Sequence, residues 1–191
     1  MSDAHEKRLS TAYSKLSLRE PFIAAVMTRI KRELTGEVPT AATDGTRVIF
    51  NPDFMDKCSD EELFGLVLHE SLHVILMHMW RRGERDPSLW NYANDAIINA
   101  YIRNRQYKLP DGGVDERWVK EDMDSEYVYR LMKQKQQSDG GTGSSGDGDG
   151  TPTPAPAGGF DGSGDLIDAP NDATMTDLAA TIQASAEMAK S

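Results

Sequence analysis

The chain has 191 residues, 38% apolar and 27% charged, with 21 Lys and Arg against 31 Asp and Glu for a formal net charge of −10; this composition excludes wholesale disorder and fits one globular domain with a tail. The acidity is uneven, because residues 138–191 hold one Lys and nine acidic residues while residues 1–137 are close to neutral. No basic stripe is long enough to neutralise a phosphate backbone or an anionic bilayer, so neither nucleic acid nor a membrane is expected as a partner.

A helix of weak periodicity is expected over residues 4–15. Ser17-x-x-Glu20 reads as a capping box, Pro21 suits a first turn, and Phe22, Ile23, Val26, Met27, Ile30 and Leu34 share one stripe, which predicts a helix over 19–34. Gly36 ends it. Ala42-Thr43 then leads through Asp44-Gly45 into Thr46–Phe50, a hairpin signal, and Asn51-Pro52-Asp53 stops the second strand. Cys58 stands alone, so no intrachain disulfide can form, and it reads as a small half-buried apolar group. With no apolar core for a secretory signal in Met1–Arg8, the expected location is cytoplasmic.

Ser59-x-x-Glu62 opens the most apolar helix, expected over 60–80, whose basic end at Arg81-Arg82 suits the negative pole of the helix dipole. It carries His69, Glu70, His73 and His78, which makes it a buried soluble helix and not a membrane span. Ser88 can cap a helix over 89–105, with Leu89, Tyr92, Ala93, Ala96, Ile97, Ala100 and Tyr101 at helical spacing. A loop over 106–123 and a helix over 125–135 follow, with Tyr127, Val128, Leu131 and Met132 facing inward. Residues 138–170 hold ten of the 16 glycines and four of the nine prolines, the composition of a flexible linker. Thr174-x-x-Asp177 opens a last helix, 175–189, with a thin stripe of Leu178, Ile182 and Met188. No stop signal follows it, so the chain reads as a fragment of something longer. The expected fold is α+β and predominantly helical, divided into a domain over 1–137, a linker over 138–170 and a C-terminal helix within 171–191.

The chemistry concentrates in His69-Glu70-Ser71-Leu72-His73. Four residues of helix rotate by about 40° net, so both imidazoles project from one face and can hold one cation. Glu70 lies about 100° round from His69, where its carboxylate can act on a metal-bound water as a general base without ligating the metal. Two imidazoles and a carboxylate in so apolar a helix would cost about 1–3 kcal/mol each if left unsatisfied, and a metal satisfies all three. A catalytic zinc takes three protein ligands and keeps one position open. His78 lies about 180° round from His69 if the helix continues, so it faces away unless the helix breaks near Met77. Asp95, centred in Asn91-x-x-x-Asp95-x-x-x-Asn99, is the better third ligand, because a helical hairpin turns that face toward His69 and His73. Asn91 and Asn99 would then orient the ligands. Tyr92 or Tyr101 could stabilise an oxyanion, yet both read equally well as core aromatics, and Arg81, Arg82 and Arg85 read as a solvated helix end and loop able to attract an acidic partner or the chain's own tail. Asp147-Gly148-Asp149-Gly150 lacks the ligand series and closing Glu of a calcium loop.

Asn51-Pro52-Asp53-Phe54, Glu61-Glu62-Leu63, Leu68-His69-Glu70-Ser71-Leu72-His73-Val74 and Trp90-Asn91-x-Ala93-x-Asp95-x-x-Ile98-Asn99, taken in this order, resemble the "putative metallopeptidase domain" found in bacterial and phage proteins ahead of a von Willebrand factor A-like domain. Ser125-Glu126-Tyr127-Val128-Tyr129 is similar to its later helix, and the resemblance spans residues 18–135. It implies a zincin-like core with a small β-hairpin, zinc held by His69, His73 and Asp95, Glu70 as catalytic base, and a downstream von Willebrand factor A-like domain that this chain lacks. On the zincin analogy, strand 46–50 would hold an extended polypeptide substrate by edge pairing. The expected activity is zinc-dependent peptide-bond hydrolysis; the alternatives are a catalytically silent, metal-stabilised adaptor and a regulatory domain.

Overall fold

The computed structural model describes residues 3–139, 166–169 and 171–188. The fold is α+β and mostly helical, with one three-stranded sheet. Helix α1 (Asp3–Arg19) is longer than expected and absorbs Ser17, whose hydroxyl donates to the Tyr13 carbonyl and caps nothing. The expected helix over 19–34 divides. Helix α2 (Pro21–Met27) ends at Thr28, and strand β1 (Lys31–Leu34) follows. Ile30 and Leu34 are both buried, as the stripe required, but from extended backbone.

The Asp44-Gly45 turn forms as read. Asp44 Oδ1 accepts from the backbone of Thr46 at 2.8 Å and of Arg47 at 3.1 Å. Gly45 has φ 87°, and a Cβ there would run into the Trp80 ring, so the turn needs glycine on both counts. Strand β2 (Ala41–Thr43) pairs antiparallel with β3 (Arg47–Phe50), but the hairpin is part of a larger sheet, since β1 pairs parallel with the other edge of β3. The strand expected to receive a peptide is therefore central, with both edges taken, and the outer strands are β1 and β2. Proline 52 ends the sheet by opening a short helix, α3 (Pro52–Met55), capped by Asn51.

Helix α4 (Asp60–Ile75) starts with the expected capping box: Ser59 N–H donates to Glu62 Oε2 at 2.7 Å, and Glu62 N–H donates to Ser59 Oγ at 3.3 Å. It stops short of residue 80. Met77 takes the left-handed conformation at φ 55°, and a separate turn, α5 (His78–Arg81), begins immediately after it. Helix α6 (Pro87–Asn104) is capped by Asp86 in place of Ser88, and α7 (Ser125–Asp139) runs past its expected end. Helix α8 (Asp172–Met188) starts with Asn171, not Thr174, as the cap; Leu178 is buried on the main core while Met188 stays exposed. Most of the expected linker, 140–165, and the Asp147–Gly150 stretch lie outside the described residues. Its far end does not read as linker: Leu166 bridges to Thr43 at the outer edge of β2.

Two apolar clusters organise the molecule. The larger joins α1, α2, the sheet, α4 and the Ile98/Ile102 side of α6. The smaller joins Trp90, Ala93, Ala96 and Ile97 of α6 to Val128, Tyr129 and Met132 of α7, with Leu166 packed against it. Helices α4 and α6 pack together where the two clusters meet. Among the described residues no helix is long and apolar enough to cross a membrane.

Candidate metal centre

The α4–α6 seam brings together the three side chains that the spacing singled out. His69 Nε2 and His73 Nε2 lie 3.0 Å apart, and Asp95 Oδ1 lies 3.1 Å from His73 Nε2 and 3.5 Å from His69 Nε2. The group is sealed from solvent, with both histidines and Glu70 at 0% exposure and Asp95 at 1%. His69, His73 and Asp95 thus form a buried set of three donors that could hold a metal ion.

Neighbouring groups aim these donors. Asn99 Nδ2 donates to the Val114 carbonyl at 2.8 Å, which turns its Oδ1 toward His69 Nδ1 at 3.1 Å. His69 must therefore carry its proton on Nδ1 and present a lone pair at Nε2, the tautomer a metal requires. Asn99 thus takes the orienting place expected of it one turn beyond Asp95 on the α6 face. Asn91 is buried on that face too.

His78 departs from the expectation for a continuous helix. The reversal at Met77 swings it back under α4, fully buried, with its Nδ1 3.0 Å from His73 Nδ1 and its Nε2 3.3 Å from Ser125 Oγ. It meets His73 on the side remote from Asp95 and is not one of the three converging donors. Trp90 stands edge-on to the His78 ring and donates its indole N–H to the His78 carbonyl at 2.8 Å. With a cation at His73 Nε2, His73 Nδ1–H donates to His78 Nδ1 and His78 Nε2–H donates to Ser125, a single consistent proton arrangement.

The electrostatics favour a cation in the same place. Burial drives the His73 and His78 imidazoles below their ordinary range, most strongly at His78, so a bare imidazolium is disfavoured. Burial alone would raise the Asp95 carboxyl, yet the adjacent His69 and His73 hold it below the usual carboxylate range. A carboxylate kept ionised beside an imidazole, His73, that burial keeps neutral matches the donor chemistry of a divalent transition metal.

Some residues had no sequence signal. Tyr13 of α1 is held under the Arg32 guanidinium, and its hydroxyl has no hydrogen-bond partner among the described residues. Burial raises its phenol well above the ordinary range, with Arg32 opposing and Glu70 adding to the shift, which puts Tyr13 in the electrostatic reach of Glu70. Asn94 is fully buried beside Asp95, and neither atom of its amide is bonded among the described residues. Ser125 could not be tied to the site before the α7 start was known. Tyr92 and Tyr101 serve elsewhere, donating to Glu116 and Glu20 at 3.0 and 2.9 Å. Arg81 pairs with Glu126, Arg85 lies over Trp90, and Arg82 meets Asp168 of the tail at 2.5 Å, the self-contact that the sequence left open.

A curated protein of Thermotoga maritima, itself described only as an uncharacterized protein, is 28% identical over 106 residues, which is 51% of this chain and 26% of that relative. The match thus spans about a quarter of the relative's length. No solved structure matches the chain. The model of the family described as "putative metallopeptidase domain" matches residues 4–190, taking in the tail beyond the 18–135 span of the motifs. The chain belongs to that family.

Proposed function

We propose that this chain is a zinc-dependent peptide hydrolase with a zincin-like core, in which His69, His73 and Asp95 hold the metal and Glu70 is the general base. The observation that carries the reading is the convergence of His69 Nε2, His73 Nε2 and Asp95 Oδ1 within 3.5 Å of one another on a helix that also buries Glu70. The donor set fits zinc, since two imidazole nitrogens and one carboxylate oxygen are the ligand types and number of a catalytic site that keeps a fourth position open.

Zinc, when bound, supplies Lewis acidity toward a peptide carbonyl and toward water. Glu70 takes the proton from the attacking water and delivers it to the amide nitrogen as the C–N bond breaks, leaving a carboxylate and an amine. Asn99 and His78 keep the two imidazoles in the metal-binding tautomer through their Nδ1 contacts. The test is metal analysis and proteolysis of the wild type beside Glu70→Gln. The variant is expected to retain about one zinc per chain and to lose hydrolysis; a wild type that takes up no zinc overturns the reading.

The near-total burial of the ligands supports a second reading, a zinc that only braces α4 against α6 in an adaptor. Structural zinc sites are closed by four protein ligands, and three donors converge among the described residues. Absorption spectra of the cobalt-substituted protein separate the two readings: an exchangeable fourth position shifts its bands when azide is added, and a closed site does not respond.

A further inference from the structure

A hydrolase whose metal ligands are at most 1% exposed needs an entrance. Strand β2 has β3 on one side; its other edge meets no strand of the sheet but residues 166 and 167. Leu166 bridges to Thr43 in parallel sense, and Ile167 N–H donates to the Thr43 carbonyl at 2.9 Å. Leu166 also packs against the α6–α7 cluster. The far end of the segment is tied to α5 and the residue after it: Asp168 pairs with Arg82 at 2.5 Å, and Trp80 Nε1 donates to the Asn171 carbonyl at 3.2 Å. Helix α5 begins at His78, which touches His73, and β2 packs directly on α4. Three of the elements that hold the segment, β2, α5 and α6, thus border the ligand-bearing helix.

We propose that the outer edge of β2, with Arg82, is the seat of an extended peptide, and that Leu166-Ile167-Asp168 occupies it in this chain as a tethered competitor of substrate; the word substrate rests on the hydrolase reading above. The occupant specifies the class of ligand: an unfolded stretch with two aliphatic side chains followed by an acidic one. Main-chain pairing supplies affinity without regard to sequence, the α6–α7 cluster takes the first aliphatic group, and Arg82 takes the carboxylate. Among the described residues the polar ties of the resident segment are one main-chain hydrogen bond to β2, one indole bond and an ion pair whose carboxylate is 77% exposed. Such contacts are individually weak, and it is tethering that raises their local concentration, so a longer peptide can displace them.

The test uses the full-length protein as wild type, as Ile167→Pro, which removes the N–H that Thr43 accepts, and as Asp168→Lys, which reverses the charge facing Arg82. A fluorescent peptide carrying residues 163–172 of this sequence is titrated into each, and the zinc-loaded proteins are assayed on denatured casein. Each variant is expected to bind the peptide at least ten-fold more tightly than wild type and to hydrolyse casein at least ten-fold faster, with the unlabelled peptide inhibiting. Arg82→Asp combined with Asp168→Arg, titrated with the same peptide carrying Arg in place of Asp168, is expected to bind it as weakly as the wild type binds its own, and Ile167→Pro added to that pair is expected to bind it tightly, an outcome that a misfolded variant cannot give. Equal peptide affinity in wild type and variants, or no binding to any, overturns the proposal; so does peptide that binds the opened protein without slowing casein turnover. The titration is repeated on Glu70→Gln, so that a protein with no casein turnover at all overturns the hydrolase reading while peptide binding still decides occupancy of the β2 edge.

Discussion

His78 is the residue whose position depends most on a single backbone angle. With Met77 in the left-handed region, the ring lies against His73 and not on the far side of α4. Its Nδ1 accepts from His73 only while His73 offers Nε2 to a metal, and a residue of this kind typically contributes about 10–100-fold in metal affinity. We expect His78→Phe to lower zinc affinity by about that factor with the stoichiometry still one, and His78→Gln, whose side-chain oxygen can accept in place of Nδ1, to recover most of it. Competition with a chromophoric chelator measures both. The convergence of His69 and His73 was legible because i, i+4 spacing on a helix fixes direction once the helix is granted. His78 was legible only conditionally, since no local pattern forces a left-handed methionine; the packing of Trp80 against Gly45 and of Trp90 on His78 imposes it.

The helices read well where their ends carried chemistry, and poorly where tertiary pairing decided. Ser59 and Glu62 close on each other as their spacing demanded, and Asp44-Gly45 makes its turn. Ser17 and Glu20 have the same spacing, but Glu20 turns away to accept from Tyr101 at 2.9 Å and Tyr107 at 3.3 Å, so α2 has no side-chain cap. Ile30 and Leu34 fit a helical stripe as well as an extended one; the parallel pairing of Lys31–Leu34 with Arg47–Phe50 selects the strand, and no window of local sequence contains that partner. Gly65 shows the same principle inside α4. A Cβ there would overlap the main-chain carbonyl of Lys108, in the loop after α6, and main chain cannot rotate aside as a side chain would. Helix propensity favours alanine over glycine by up to about 1 kcal/mol, whereas overpacking against a fixed atom costs about 1–3 kcal/mol. Gly65→Ala is therefore expected to lower unfolding stability in a urea titration, opposite in sign to the propensity effect.

The ligand set joins the two packed clusters of the molecule, because α4 belongs to the larger and α6 to both. A metal bound there stabilises the whole fold by mass action, by about 4 kcal/mol when free metal stands at about a thousand times its dissociation constant. For a domain of this size that corresponds to a shift of roughly 8–16 °C. Stripping zinc with a chelator is expected to lower Tm by that order in calorimetry, with Glu70→Gln shifting as the wild type does and Asp95→Ala no longer responding to metal. The tail was harder to read than the domain: composition marked 138–170 as linker, but Leu166 to Asp168 dock through one main-chain bond and one charge, too few contacts to leave a periodic signature. Their docking has a bearing on how copies of this protein behave toward one another. The sheet has two outer strands. Lys31 and Arg32 stud β1 with exposed charge, which deters pairing with a foreign strand, but Ala41-Ala42-Thr43 of β2 has no charge to repel one. Whatever lifts Leu166 and Ile167 away also bares that strand, so the opening proposed above to admit substrate would bring with it a tendency to stick to neighbours.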